Sequence, residues 1–425
     1  MRSLVAVLAF VLAVPVTGIA GVARPARVPA VWVTFEASAA NAVQQAFAAR
    51  GLAAPVIDAT RNGIAVSLVR EDQLEVLSAV MHERFRRCPG FVSHTSRAEA
   101  LRATDLEAAP PAPELTDFYV IDNPVAVNGI LPHLSAANIE QTIVGLSSFP
   151  TRRHEQPGGT DAALWLRDRW QALPVARYGG TVELFTAATT PMPSVILTIP
   201  GASRPDQVVV LGAHLDSTSS TASAPGADDD ASGVATLTEV IRAAFAAGFR
   251  PERTVKFMAY AAEEVGLRGS QAIAQAHRAA NVNVIGVLQL DMTNYKGSGH
   301  ADIAIISDVN HTDLQQNLYL RSLIDTYVGV PWIETTCGYA CSDHHSWRAA
   351  GYRASFPFES QFGFHNLAIH TPNDTLLTSG GNADHSLKFA KLAAAYLAEM
   401  AKGKLLAPPV LPDATVPAAS GPVAR

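Results

Sequence analysis

VVVLGAHLD, Val208–Asp216, runs apolar and then closes on a histidine and an aspartate. Two later stretches share its form: TVKFMAYAAEE, Thr254–Glu264, and VIGVLQLD, Val284–Asp291. Apolar strands without alternation are buried on both faces, which is the habit of parallel sheets. Helical spacing fills the gaps, over 232–247 and 269–280, and a last strong helix is expected over 384–400. Strands alternating with helices in this way predict an α/β fold, a parallel sheet covered on both faces.

The chain divides into four parts. Residues 1–23 read as an export signal: Met1-Arg2, a short apolar run over 4–14, then small residues with cleavage expected after Ala20 or Ala23. The run is well short of the ~20 residues that span a bilayer. Residues 24–115 read as a small α+β pro-segment. It has strands over 28–37 and 64–69, a helix over 39–50 stopped by Gly51, and Leu74, Leu77, Met81 and Phe85 at helical spacing. The proline-rich Ala108–Glu114 closes that part as an exposed linker. The α/β domain follows over 116–404, and 405–425 read as a proline-rich tail.

Of 425 residues, 48% are apolar and 16% charged, which suits a globular chain with a large core. A net charge of −6 without a basic cluster argues against nucleic acid as a partner. Once the signal is gone, no stretch is long and apolar enough to hold the chain in a membrane, so a secreted protein is expected. Cys337 and Cys341, four apart, could close a small disulfide loop in an oxidising compartment, worth roughly 2 kcal/mol at most. Cys88, in RRCPGF, is then a free thiol in the segment expected to be discarded.

Ligands in open α/β sheets bind beyond the C-terminal strand ends. Those ends deliver His214 and Asp216, then Glu263 and Glu264, then Asp291; Asp228, Asp229 and Asp230 stand ahead of a helix, and His370 lies in AIHTPNDT. Singly each has an ordinary explanation, as an N-cap, a turn former or a core histidine. Together, so many carboxylates at one sheet edge require a cation. Histidine and carboxylate donors suit zinc, and also cobalt or manganese.

HLDST, PGADDDASG, AYAAEEVGLRGS, LQLDMTNYKG, TCGYACSDH and IHT..DT together resemble the bacterial leucyl aminopeptidase family of secreted co-catalytic zinc peptidases, over roughly 128–402. The resemblance implies a three-layer α/β sandwich with a mixed, mostly parallel sheet. It implies two zinc ions, one on His214 and Asp291, the other on Glu264 and His370, with Asp229 bridging. Glu263 is then the general base for a bridging water, and Asp216 orients His214. Asp228 and Asp230 are structural, His344 lines or supports the site, and His345 is solvated. Met292, Ile306, Cys337, Tyr339, Phe356, Phe358, Phe362 and Ile369 fall on the apolar pocket positions, with Tyr339 expected near the reacting carbonyl. Phe356 stands where a methionine is typical and His365 where a tyrosine is. The implied partners are peptides with a free N-terminus and large apolar first residue, such as leucine, and the chain's own pro-segment as inhibitor or folding aid.

Two other readings differ in testable ways. Another zinc enzyme of the same fold, a carboxypeptidase or a glutaminyl cyclase, needs a cation for a substrate carboxylate (Arg353 is the candidate) or a single zinc. A non-catalytic module would have lost ligands or the base, and none is lost here.

Overall fold

A computed structural model of the chain describes residues 28–105 and 119–406. The expected signal, the Ala108–Glu114 linker and the tail beyond 406 lie outside the described residues.

The N-terminal unit is an antiparallel sheet of β1 (Ala30–Glu36), β2 (Val56–Arg61), β3 (Ile64–Arg70) and β4 (Val92–His94), in the order β2-β3-β1-β4. Helices α1 (Ala40–Ala49), α2 (Leu74–Phe85) and α3 (Arg97–Ala103) accompany it. Val33, Phe35, Val43, Phe47, Leu77 and Met81 form its core. The sequence pattern misses β2 and β4. VIDATR is largely exposed and so carries no apolar alternation, and VSH is too short to register.

The larger body follows with α4 (Pro124–Ile130), α5 (Ala136–Ser147), α6 (Pro157–Gln171), β5 (Thr181–Phe185), β6 (Ser194–Ile199) and β7 (Arg204–His214). Next come α7 (Ala231–Ala246), β8 (Phe249–Pro251), β9 (Arg253–Tyr260), α8 (Arg268–Ala279) and β10 (Asn283–Gln289). The described residues close with β11 (Ile303–Ile306), α9 (Leu314–Leu323), β12 (Trp332–Thr335), α10 (His344–Ala349), β13 (Ala354–Ser355), β14 (Pro357–Phe358), α11 (Asp384–Ala401) and β15 (Gly403–Leu405).

The central sheet has the order β13-β10-β7-β9-β6-β5. β13, β10, β7 and β9 are parallel; β6 pairs antiparallel with β9 and β5 antiparallel with β6, so β6 alone runs against the others, and neither β5 nor β6 was legible as a strand. The sheet is therefore mixed, as the resemblance implies, rather than wholly parallel. Both faces are buried, and alternate residues serve different layers. Val209, Leu211, Phe257 and Leu288 share one core with residues of α5, α7 and α11. Val208, Val210, Met258 and Tyr260 share another with Ile273 of α8 and Trp347 of α10. β15 pairs with β8, so Leu405 belongs to the body rather than to a tail.

From β7 the chain passes through α7 to β9 on one side, then through α8 to β10 on the other. The strand ends at this reversal form the crevice where open α/β sheets bind ligands. The turn after β9 closes tightly on itself: the Gly266 and Leu267 amides donate to Glu263 O, and the Gly269 amide donates to Ala261 O at 2.9 Å. Gly269 is needed there, because a Cβ would lie 2.3 Å from Ala261 O. Gly269→Ala must push backbone against backbone, and we expect a loss of about 1–3 kcal/mol. Thermal melts check this, and an unchanged midpoint would contradict it.

Candidate active site

The three strand ends meet as the sequence spacing predicts. β7 ends on His214, β9 leads into Glu263 and Glu264, and β10 leads into Asp291. All are buried, as are Asp216, Asp229 and His370. Asp230 is the N-cap of α7, accepting from the Gly233 amide at 2.8 Å. The same carboxylate accepts from the amides of His214, at 3.0 Å, and Met292, at 3.2 Å, so it ties two strand ends to one helix. Asp228 accepts from the Asn294 amide at 3.0 Å and from Asn366 at 3.1 Å.

Asp229 stands between two groups of donors. Its Oδ1 lies 3.0 Å from His214 Nε2, which is 3.5 Å from Asp291 Oδ1. Its Oδ2 lies 3.3 Å from His370 Nε2, which is 2.8 Å from Glu264 Oε2. Each group gathers its ligand atoms within 4.8 Å of one another, and the second includes Cys88. Three residues at these turns adopt the left-handed backbone region without being glycine: Ala262 at φ 57°, Met292 at 56° and His370 at 56°. Such strain persists where surrounding structure enforces it, commonly at functional sites.

Asp216 does something the sequence did not reveal. Its carboxylate accepts from the Glu263 amide at 3.0 Å and the Glu264 amide at 3.1 Å, holding the two-glutamate turn like a clamp. His214 Nδ1 lies 3.2 Å from the Asp216 backbone carbonyl, and 3.6 Å from its carboxylate. The carbonyl is the better-placed acceptor, so it is the backbone of Asp216 that orients His214. Two further partners were also missed. Asp374 accepts from the amides of Asp228 and Asp229, each at 3.1 Å, and Ser342 Oγ donates to Asp291 Oδ2 at 2.6 Å. Both sit inside motifs visible in the sequence, IHTPNDT and CSDH, but nothing in a linear pattern tells which residue they face.

The donor set fits a divalent metal. Among the described residues, the ion-pair partners of Asp229, Glu264 and Asp291 are the two imidazoles alone. His214 Nε2, Asp229 Oδ1, Glu264 Oε1 and both oxygens of Glu263 are buried without a hydrogen-bond partner. Orphaned buried carboxylates are costly unless a cation faces them. The electrostatics agree. Burial opposes a charge on His370, yet Glu264 and Asp229 outweigh it and raise the imidazole to about 10. Burial likewise pushes the Glu264 carboxyl up to about 7, against the pull of His370. Without a metal, the imidazoles must carry the counter-charge.

The eight residues expected to line an apolar pocket come together. Met292, Ile306, Phe356, Phe358 and Ile369 form one buried cluster with Cys341, and Cys337, Tyr339, Phe362 and Cys88 pack against it. Cys337 and Cys341 are disulfide-bonded. His365 lies against Phe358 and Phe362, with ring centroids 5.6 and 5.1 Å away. His344 is fully buried beside Phe356. His345 is not solvated as expected: at the start of α10 it is half-buried, with Nδ1 2.8 Å from His311 Nδ1.

The N-terminal unit covers this edge. Ala262 and Val265 of the two-glutamate turn are part of its core. Ser93 donates from its amide to Gly266 O at 3.1 Å and from Oγ to Val265 O at 2.7 Å. Gly266, at φ +96°, permits this approach, because a Cβ would lie 2.6 Å from the Ser93 nitrogen. Arg268, buried, pairs with Glu71, and Thr218 Oγ1 donates to Glu75 at 2.7 Å.

The crevice at the switch point of the sheet thus gathers donors that fit a divalent metal. The model of peptidase family M28 matches residues 194–396, and this chain belongs to that family. It is similar to leucine aminopeptidase 1 of Paracoccidioides brasiliensis (strain Pb03), 34% identical over 313 residues, covering 69% of this chain and 79% of that protein. The LapA aminopeptidase of Legionella pneumophila shares the fold at a TM-score of 0.75 and 28% identity, covering 89% of this chain and 100% of that one. LapB of the same organism gives a TM-score of 0.76 at 26% identity, covering 88% and 100%.

Asp216→Asn tests the clamp. An amide group can accept only one of the two N–H bonds and leaves a buried donor unpaired, at a cost of about 1–3 kcal/mol. We expect a lower melting midpoint and a fall in metal affinity or activity of about 10–100-fold. A variant with wild-type stability and metal content would show that the clamp is dispensable.

Proposed function

We propose that the chain is a zinc aminopeptidase that removes the N-terminal residue of peptides, favouring large apolar residues such as leucine. The observation that carries this reading is Glu263, fully buried with neither carboxylate oxygen hydrogen-bonded, beside a carboxylate that faces donors on both sides. Family membership and the names of the relatives support it.

In this reading His214 and Asp291 would hold one ion, Glu264 and His370 the other, and Asp229 would serve both. A bound zinc pair supplies Lewis-acid polarisation of the scissile carbonyl and an acidified water near neutral pH. Glu263 takes the proton of the attacking water on its carboxylate and hands it to the leaving amine nitrogen. Burial pushes the Glu263 carboxyl well above its ordinary range, His214 opposes this and Glu264 adds to it. Asp216 fixes the turn that aims both glutamates. The apolar cluster of Met292, Ile306, Phe356, Phe358 and Ile369 receives the first side chain. Tyr339 donates to the reacting carbonyl oxygen.

We further read residues 1–23 as an export signal and 24–115 as a pro-segment removed outside the cytoplasm. The covering of the site by the N-terminal unit supports the second point. The carboxypeptidase alternative gains nothing from Arg353, whose guanidinium pairs with Asp313 and lies over Tyr119.

The two glutamates should fail differently. In the processed enzyme Glu263→Ala should keep its metal and lose about 10²–10⁴ in kcat on leucine p-nitroanilide. Glu264→Ala should lose metal as well, as counted by mass spectrometry. Retention of most kcat by Glu263→Ala would overturn the assignment. Tyr339→Phe should lower kcat/KM by about tenfold or more; wild-type kcat/KM would remove Tyr339 from the reaction.

A further inference from the structure

The N-terminal unit places its one cysteine inside the cluster assigned above to a metal. The loop after α2 carries Cys88 to the crevice, where its Sγ lies 2.7 Å from His370 Nε2, 3.3 Å from Asp229 Oδ2 and 3.5 Å from Glu264 Oε2. These are the atoms that His370, Asp229 and Glu264 turn toward one another. A tetrahedral zinc with bonds of about 2.0 Å to N or O and 2.3 Å to S sets ligand atoms roughly 3.3–3.5 Å apart. The sulfur-to-oxygen separations of 3.3 and 3.5 Å and the 3.3 Å from His370 Nε2 to Asp229 have that spacing, the 2.7 and 2.8 Å from His370 Nε2 to the sulfur and to Glu264 are shorter, and Glu264 Oε1 and His370 Nδ1 remain buried without partners beside them.

The thiol is also held from several sides. The Cys88 amide donates to the Tyr339 hydroxyl at 2.9 Å. The neighbouring Arg87 guanidinium lies over the Tyr339 ring, 5.2 Å from its centroid, and pairs with Glu36. His82 of α2 packs its ring on His370, centroids 4.5 Å apart. Cys88 therefore blocks the cluster, engages the phenol and touches the apolar pocket at once. The other two cysteines form the disulfide, so Cys88 is the single free thiol of the chain.

We propose that in the unprocessed chain Cys88 is a ligand of the metal held by Asp229, Glu264 and His370. The thiol gives its proton to solvent on binding, as thiolate ligands do. The sulfur then fills the coordination position, and its loop the space, that water and peptide need, so the N-terminal unit keeps the enzyme shut until it is cut away. The proposal rests on the metal assignment under Proposed function.

Cobalt separates the two claims. The full chain, stripped with chelator and loaded with Co²⁺ alone, should show visible d–d bands and a sulfur-to-cobalt charge-transfer band in the near ultraviolet. Cys88→Ser should keep the d–d bands and lose the charge-transfer band. In the wild-type full chain, Co²⁺ or Zn²⁺ should slow iodoacetamide alkylation of Cys88 by about tenfold or more, as a bound ligand protects the state it stabilises, and EDTA should restore it. The alkylation arm needs no substituted protein, so it decides even if Cys88→Ser misfolds. Cobalt bound with no charge-transfer band, or with alkylation unchanged, overturns the thiolate ligand and leaves the metal site standing. No cobalt bound overturns both.

Discussion

Five buried carboxylates, Asp216, Asp229, Glu263, Glu264 and Asp291, crowd one edge of the central sheet. Among the described residues, two imidazoles are the charged partners they have there. That imbalance is the constraint the rest of the structure answers. In a low-dielectric interior such a gathering is tolerable only with a compensating cation. The scaffold that enforces it is built from amides: Asp216 holds the two-glutamate turn, Asp230 holds two strand ends, and Asp374 holds Asp228 and Asp229. Carboxylates that take up backbone donors leave their neighbours free to face a metal.

The adjacent glutamates show how a short turn divides labour. Their amides point together at Asp216, while their side chains part. Glu264 reaches His370, and Glu263 reaches no protein donor. Ala262, at a left-handed φ of 57°, bends the backbone just ahead of them. The same turn sends Ala262 and Val265 into the core of the N-terminal unit. The most constrained loop of the site is thus also the loop on which the covering unit is anchored.

Much of this was legible in the sequence, because strands buried on both faces announce themselves as unbroken apolar runs. β7, β9 and β10 were found that way, and with them His214, Glu263, Glu264 and Asp291. The strands that escaped have other reasons to look ordinary. β5 is a half-exposed edge, and β13 and β14 have two residues each. Positioning groups were harder still. Asp216 was seen as a partner of His214, yet its carboxylate serves Glu263 and Glu264, 47 and 48 residues away in the chain. Cys88 looked like a leftover thiol because its neighbours, Asp229, Glu264 and His370, are 141, 176 and 282 residues distant. Local pattern identifies elements, whereas contacts of such separation exist only once the fold is closed.

In the proposed reading one carboxylate, Asp229, stands between two metal ions. Anomalous diffraction at the zinc absorption edge, from crystals grown with zinc, tests it directly. Two peaks should flank the Asp229 side chain, one within about 2.0–2.3 Å of His214 and Asp291 donors and the other equally near Glu264 and His370. A single peak, or a second peak away from Asp229, would contradict it.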